Sequence, residues 1–348
     1  MTATLSTHVL TKILFITEEE MKLDWAPSVY RRLHGVFCVY KPENVTMQRL
    51  FDTLKFNISN ALNELPCYKH EMRTQEISFE TGSTLPATVT KPVGLTDLTD
   101  HRLVLGPRYI KSDIPLKYLN GLGRYSSGVT VIGIQKGINT INTLKSCQFL
   151  RVYHVKGQFG KVTEDFSARG RLLQKISYYH IKRSMLDKVC AAAQAQHQRQ
   201  MFIYAKVDLQ SQEAYEIASK GLVRPAQEYT PTILYGIKCI DFQPPDFTLE
   251  IHTLQEKTTY LMSLIHNIGL QLKSGALCTQ IRCIRNGHFT LEHALLRKFW
   301  TVPDILENIR ICRKLTTPDK LITPSLLVDP TTEENDNSYL PEPDAVKT

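Results

Sequence analysis

The 348-residue chain has no apolar run approaching the roughly 20 residues that a membrane-crossing helix requires, so a soluble protein without a membrane span is expected. Its eight cysteines, at 38, 67, 147, 190, 239, 278, 283 and 312, form no CxxC pair and no regular framework. Scattered this way they read as reduced, mostly buried thiols of an intracellular protein. Glycine is sparse, and the only glycine-rich turn, Asn120-Gly121-Leu122-Gly123, precedes a strand rather than following one. With Gly121, Gly123 and Gly128 it matches neither a dinucleotide nor a P-loop spacing, which leaves nucleotide-cofactor binding unsupported. His288, Glu292 and His293 stand in a turn region where solvated side chains are the ordinary outcome, so neither a metal nor any other cofactor is implied. The first seventeen residues lack arginine and acid, making a poor secretory signal and a weak organellar presequence.

What the chain does have is basic charge. The formal net charge is +8, but residues 315–348 hold seven acids and two bases, so the body before them carries +13. A basic body with an acidic tail suits a polyanionic partner, most simply nucleic acid.

Val36 to Tyr40 is an apolar strand stopped at Lys41-Pro42. Residues 64–110 mix Pro, Thr, Gly and charge without periodicity and read as a long insertion. Strands are expected at 128–134 and 152–156, and at 232–241 and 247–253 on either side of Pro244-Pro245. Ser184 with Asp187 marks a helix start, with Leu186, Val189, Cys190 and Ala193 following at helical spacing. A second helix spans 212–220 and should stop at Gly221, and a third carries Leu261, Leu264, Ile265 and Ile268 and should end at Gly269. Asn286-Gly287 is a hairpin signal. Strands and helices interleave without βαβ regularity, so the class is α+β with a mixed, largely antiparallel sheet flanked by helices. The tail from 313 to 348 reads as acidic and disordered.

Several segments together resemble the TruB family of RNA pseudouridine synthases, most closely its mitochondrial mRNA pseudouridine synthase branch. His34 through Pro42 is similar to the family's opening strand and Lys-Pro motif, and Leu122 through Ile134 to its catalytic loop and following strand. Tyr153, with Gly157, Gly160, Thr163, Asp165 and Gly170 behind it, resembles the tyrosine strand and its loop. Thr259 to Leu264 resembles the Gly-Thr-Tyr-Ile-Arg-Thr-Leu helix start, and Ile281 through Thr290 the C-terminal hairpin. The resemblance implies a pseudouridine synthase domain over 34–312, with 1–33 as an extension, in the mitochondrial matrix. It implies mitochondrial mRNA or rRNA as partner, membership of a mitochondrial ribonucleoprotein assembly, and no guide RNA.

Aligned on Ser127-Gly128-Val129, the family's Arg-Leu-Asp triplet falls on Gly121-Leu122-Gly123, and its arginine falls on Met262. The family's reaction breaks the bond between sugar and N1 and rejoins the base through C5; it needs the aspartate's ionised oxygen, which the arginine holds by charge-assisted hydrogen bonds. Losing both together is coherent, because a buried guanidinium without its anion costs several kcal/mol. Asp113, Glu164 and Asp165 are the nearest acids, but none comes with the arginine. The resemblance assigns the uridine pocket to Tyr153, Tyr260, Ile281 and Lys41, with Tyr153 stacking on a flipped base. Lys145, Arg151, Lys156, Lys161, Arg169, Arg171, Lys182 and Arg183 are the expected phosphate contacts. An RNA-binding homologue impaired or inactive in isomerisation is the leading expectation, an active enzyme with an unusual site the second, and a protein scaffold the third.

Overall fold

The computed structural model describes residues 24–67, 72–73, 95–96, 104, 106–204, 207–208, 210–220, 232–254 and 256–318. The residues before 24, most of the 64–110 insertion, Gly221 and the tail beyond 318 lie outside the described residues. In chain order the elements are α1 (Ala26–Arg32), β1 (Gly35–Lys41), α2 (Met47–Glu64), β2 (Met72–Arg73), β3 (Leu95–Thr96), β4 (Leu116–Tyr118), β5 (Ser126–Ile134) and α3 (Gly137–Ser146). There follow β6 (Arg151–Phe159), β7 (Lys161–Thr163), β8 (Leu172–Lys175), α4 (Arg183–Tyr204), α5 (Gln212–Lys220), β9 (Ile233–Gln243), β10 (Asp246–Leu254), α6 (Thr258–Gln271), β11 (Ala276–Asn286), β12 (Phe289–Thr290) and α7 (Val302–Arg313). The class is α+β, as the interleaved pattern implies. The pairings are antiparallel along β1–β5, β4–β5 and β11–β6–β10–β9, and parallel bridges at Val39–Leu295 and Ser167–Cys278 make the arrangement mixed.

The chain divides into two compact units, residues 1–145 with 288–317, and 146–287 with 318–348. In the first, β1 runs against β5 from Gly35 opposite Ile134 to Lys41 opposite Gly128. Helix α2 forms because Thr46 accepts from the Arg49 amide at 3.2 Å as its N-cap and because Leu50, Leu54, Ile58 and Leu62 repeat every four residues on one stripe. That stripe is fully buried with Phe37 and Val39 of β1, Ile305 and Ile309 of α7, and Ala26 and Val29 of α1. Helix α1, ahead of residue 34, is thus part of this core. A seven-residue helix is too short to show a period, which is why α1 passes for an extension.

One side chain ties α7 to β1. Asn308 accepts from the Cys38 amide at 2.8 Å and donates to the His293 carbonyl at 2.8 Å. Leu295 covers the same edge of β1, taking the Tyr40 amide at 2.9 Å and giving its own to Cys38 at 3.0 Å. The Cys38 and Tyr40 backbone groups of that edge are thereby taken up and not offered to a competing strand.

In the second unit, β6 lies between β11 and β10, with β9 beyond β10. Helix α4 packs on β9 and α6 on β11 and β6. Helix α6 continues past Gly269 to Gln271. The glycine is there for close approach, not as a stop: a Cβ on it would lie 2.5 Å from the Ala276 amide nitrogen at the start of β11.

Replacing Asn308 with alanine orphans the buried Cys38 amide. The expected loss is about 1–3 kcal/mol in urea unfolding; a loss under about 0.5 kcal/mol would contradict the role given to Asn308.

Candidate functional site

Strand β6 places Arg151 and Tyr153 two residues apart, hence on one face. Both are buried, and both reach the same carboxylate. Glu256, in the connection between β10 and α6, accepts from Arg151 Nη1 at 2.8 Å and from the Tyr153 hydroxyl, both on Oε1. Its side chain is 2% exposed and that of Arg151 7%. Cys283 stands opposite Tyr153 on β11, and Ile281 opposite Val155; both are buried. Burial pushes the Glu256 carboxyl up, against the opposing pull of Arg151 and the Tyr153 hydroxyl. Burial also pushes the Tyr153 phenol well up, so it stays protonated and donates. The second carboxylate oxygen, Oε2, is buried and has no hydrogen-bond partner among the described residues.

This changes the place of Arg151. An exposed phosphate contact is expected from the sequence, but the guanidinium is enclosed and neutralised by Glu256, because a buried charge needs a buried counter-charge. Lys156, Lys161, Arg169, Arg171 and Lys182 are exposed, as is Lys145 in the first unit. Arg183 is exposed but lies against its own surface, with Nε 3.8 Å from Asp187 and Nη2 donating to the Cys239 carbonyl at 3.2 Å.

Tyr260 projects from the first turn of α6. Its hydroxyl lies 2.9 Å from His197 Nε2 on α4, with the rings edge to face. Burial raises the Tyr260 phenol to about 12 and lowers His197, so neither carries charge near neutral pH. Tyr260 also lines an open pocket of about 450 Å³ with Phe166, Lys257 and Ser263. Met262 is 9% exposed and packed in the body of α6.

In the first unit Lys41 is fully buried. Its ammonium donates to the carbonyls of Ser126 at 2.6 Å, Pro42 at 3.2 Å and Arg124 at 3.4 Å, gripping the segment just after Gly123. Burial lowers its pKa to about 8, against the opposing pull of the Glu43 carboxylate, which leaves the amine mostly charged at neutral pH. The Gly123 carbonyl accepts from the Ser126 amide at 3.1 Å, closing the turn.

Two of the acids weighed from the sequence as substitutes, Asp113 and Asp165, are engaged locally. Asp113 accepts from the Ile110 amide at 3.0 Å, and Asp165 accepts from the Ser167 amide and hydroxyl at 3.1 and 2.8 Å. Glu164 is exposed. Glu256 escapes a reading of the sequence because Gln255-Glu256-Lys257 looks like a polar linker, and its partners lie about a hundred residues upstream.

A family model described as TruB family pseudouridylate synthase, N-terminal domain, matches residues 118–261. A Xenopus tropicalis protein named mitochondrial pseudouridylate synthase TRUB2 is 40% identical over 296 residues, covering 84% of this chain and 89% of that one. The human protein of that name is 38% identical over 285 residues, covering 80% and 84%. The chain belongs to the TruB family of pseudouridine synthases. Its kinship with the TRUB2 proteins places it in the mitochondrion. Among solved structures, a Cbf5–Nop10–Gar1 complex is matched at a TM-score of 0.42 with 12% identity, covering 83% of this chain and 59% of that chain. Among the described residues no helix is long and apolar enough to cross a membrane.

The enclosed Arg151–Glu256 pair makes a specific energetic demand. Glu256→Ala is expected to cost about 3–5 kcal/mol by leaving Arg151 buried and unpaired, whereas Arg151→Met with Glu256→Met recovers most of that loss. Urea unfolding of both variants checks this; equal destabilisation by the single and double changes would contradict the pairing.

Proposed function

We propose that this mitochondrial TruB-family protein binds RNA and does not isomerise its uridines. What carries the reading is the motif alignment, on which the family's catalytic aspartate falls on Gly123 and its arginine on Met262. Glycine offers no oxygen to attack the sugar or take a proton, and methionine cannot orient a carboxylate. The charge problem of the lost pair has vanished with it, since a packed methionine needs no counter-ion. What supports retained RNA binding is the +13 body, the exposed Lys145, Lys156, Lys161, Arg169, Arg171 and Lys182, and the Tyr153, Tyr260 and Ile281 side chains at the family's pocket positions. Mitochondrial mRNA or rRNA is the proposed partner, held within a ribonucleoprotein assembly as a folding chaperone or assembly component, with no guide RNA.

One observation favours the active-enzyme reading as an alternative: Glu256 is a buried carboxylate beside Tyr153 with one oxygen unengaged. Its other oxygen, however, is held by Arg151 and Tyr153, and at 2% exposure it is an interior group.

Chemical mapping of pseudouridine after incubation with matched RNA tests the proposal through a gain of function. Gly123→Asp with Met262→Arg should produce pseudouridine that neither single change produces. If the double variant stays silent while binding RNA normally, the two positions are not what limits the chemistry; product that disappears on Glu256→Gln in an otherwise wild-type chain would establish the alternative.

A further inference from the structure

At the far end of β6 from Arg151, an open cleft of about 520 Å³ lies between the β7–β8 hairpin and the Tyr178-Tyr179 segment. Tyr179 is 85% exposed, an unusual position for a large aromatic ring, and it stacks on Tyr178 with centroids 4.7 Å apart and planes 25° apart. Tyr178 in turn rests on Gly160, whose φ of +87° and missing side chain let the ring approach; a Cβ there would lie 2.7 Å from Tyr178 Cδ1. Gly160 is fixed by its amide donating to the Gly275 carbonyl at 2.8 Å and its carbonyl accepting from the Ile176 amide at 2.9 Å. The platform is therefore built on rigid backbone.

The charge beside it is arranged at a cost. Lys161 and Lys175 are direct cross-strand partners on β7 and β8, both exposed. Like charges directly opposite destabilise a strand pair. Lys161 donates to the neutral Gln158 Oε1 at 3.0 Å, and among the described residues neither lysine has an acidic partner. Two opposed ammonium groups beside an exposed ring stack offer what an unpaired nucleotide presents: a phosphate for the cations and a flat face for the aromatic.

We propose that this cleft is a second RNA subsite, binding one unpaired nucleotide with its base stacked on Tyr179 and its phosphate between Lys161 and Lys175. The proposal rests on the RNA-binding reading above and adds to it where a flanking nucleotide is held. Tyr153 and Phe159, which lines the cleft, are six residues apart on β6, about 20 Å at strand spacing. That separates the two positions by about six nucleotides of stacked strand at 3.4 Å each.

Fluorescence anisotropy with a 12-nucleotide single-stranded oligouridine and with an RNA duplex, across a salt series, tests it. The wild type should bind the single strand, Tyr179→Ala should weaken that about 5- to 100-fold, and Tyr179→Phe should stay within about twofold. Lys161→Gln with Lys175→Gln should flatten the salt slope by about 0.7, the value for one phosphate on a single strand, and Tyr179→Ala should leave duplex binding unchanged because paired bases expose no face. Tyr179 is exposed, so its loss does not threaten folding. Failure of the wild type to bind either RNA would overturn the RNA reading itself. Normal wild-type binding that Tyr179→Ala leaves within twofold, or equal loss on single strand and duplex, would overturn the subsite alone.

Discussion

A guanidinium and a carboxylate enclosed together at the start of β6 set the terms for the surrounding structure. Arg151 and Glu256 are both nearly inaccessible, and neither could be kept charged there without the other. Their union ties the connection from β10 into α6 to β6 and orients Tyr153 through its hydroxyl. The phenol is thereby a committed donor rather than a group free to exchange protons, and burial on all sides keeps it so.

Charge in this protein consequently falls into two populations with different work. The interior pair is spent on itself. The exposed lysines and arginines of β6, β7 and the loop behind them are the ones available to phosphates, and their attraction is screened by salt as any surface interaction is. Gly123 and Met262 fit the same logic. On the proposed reading, an ion pair absent as a pair leaves no orphaned charge, so Gly123 and Met262 at the family's aspartate and arginine positions make no demand on the fold. Around Lys41, three carbonyls on one ammonium hold the loop in which Gly123 sits.

Much of this was legible in the residues, and what was missed was missed for physical reasons. The strands at β1, β5, β6, β9 and β10 announce themselves by apolar runs bounded by glycine and proline, and α4 and α6 by helical stripes. Helix α2 carries an equally plain signal, Thr46 before Leu50, Leu54, Ile58 and Leu62, and α7 has Thr301 as its cap, so both were available to a closer reading of spacing. Burial was the harder matter. Nothing local separates Arg151 from the exposed cations around it, because its partner is 105 residues away in sequence. Tyr179 is the opposite case, an aromatic residue that nothing in its neighbouring sequence marks as 85% exposed.

The central claim is that the protein holds uridine-containing RNA without changing it. Release of tritium from RNA labelled at C5 of uridine, followed with wild-type protein in excess and binding independently confirmed as saturated, bears on it most directly. The account predicts release no faster than from RNA alone. Release that tracks the bound fraction and accompanies pseudouridine formation would contradict it.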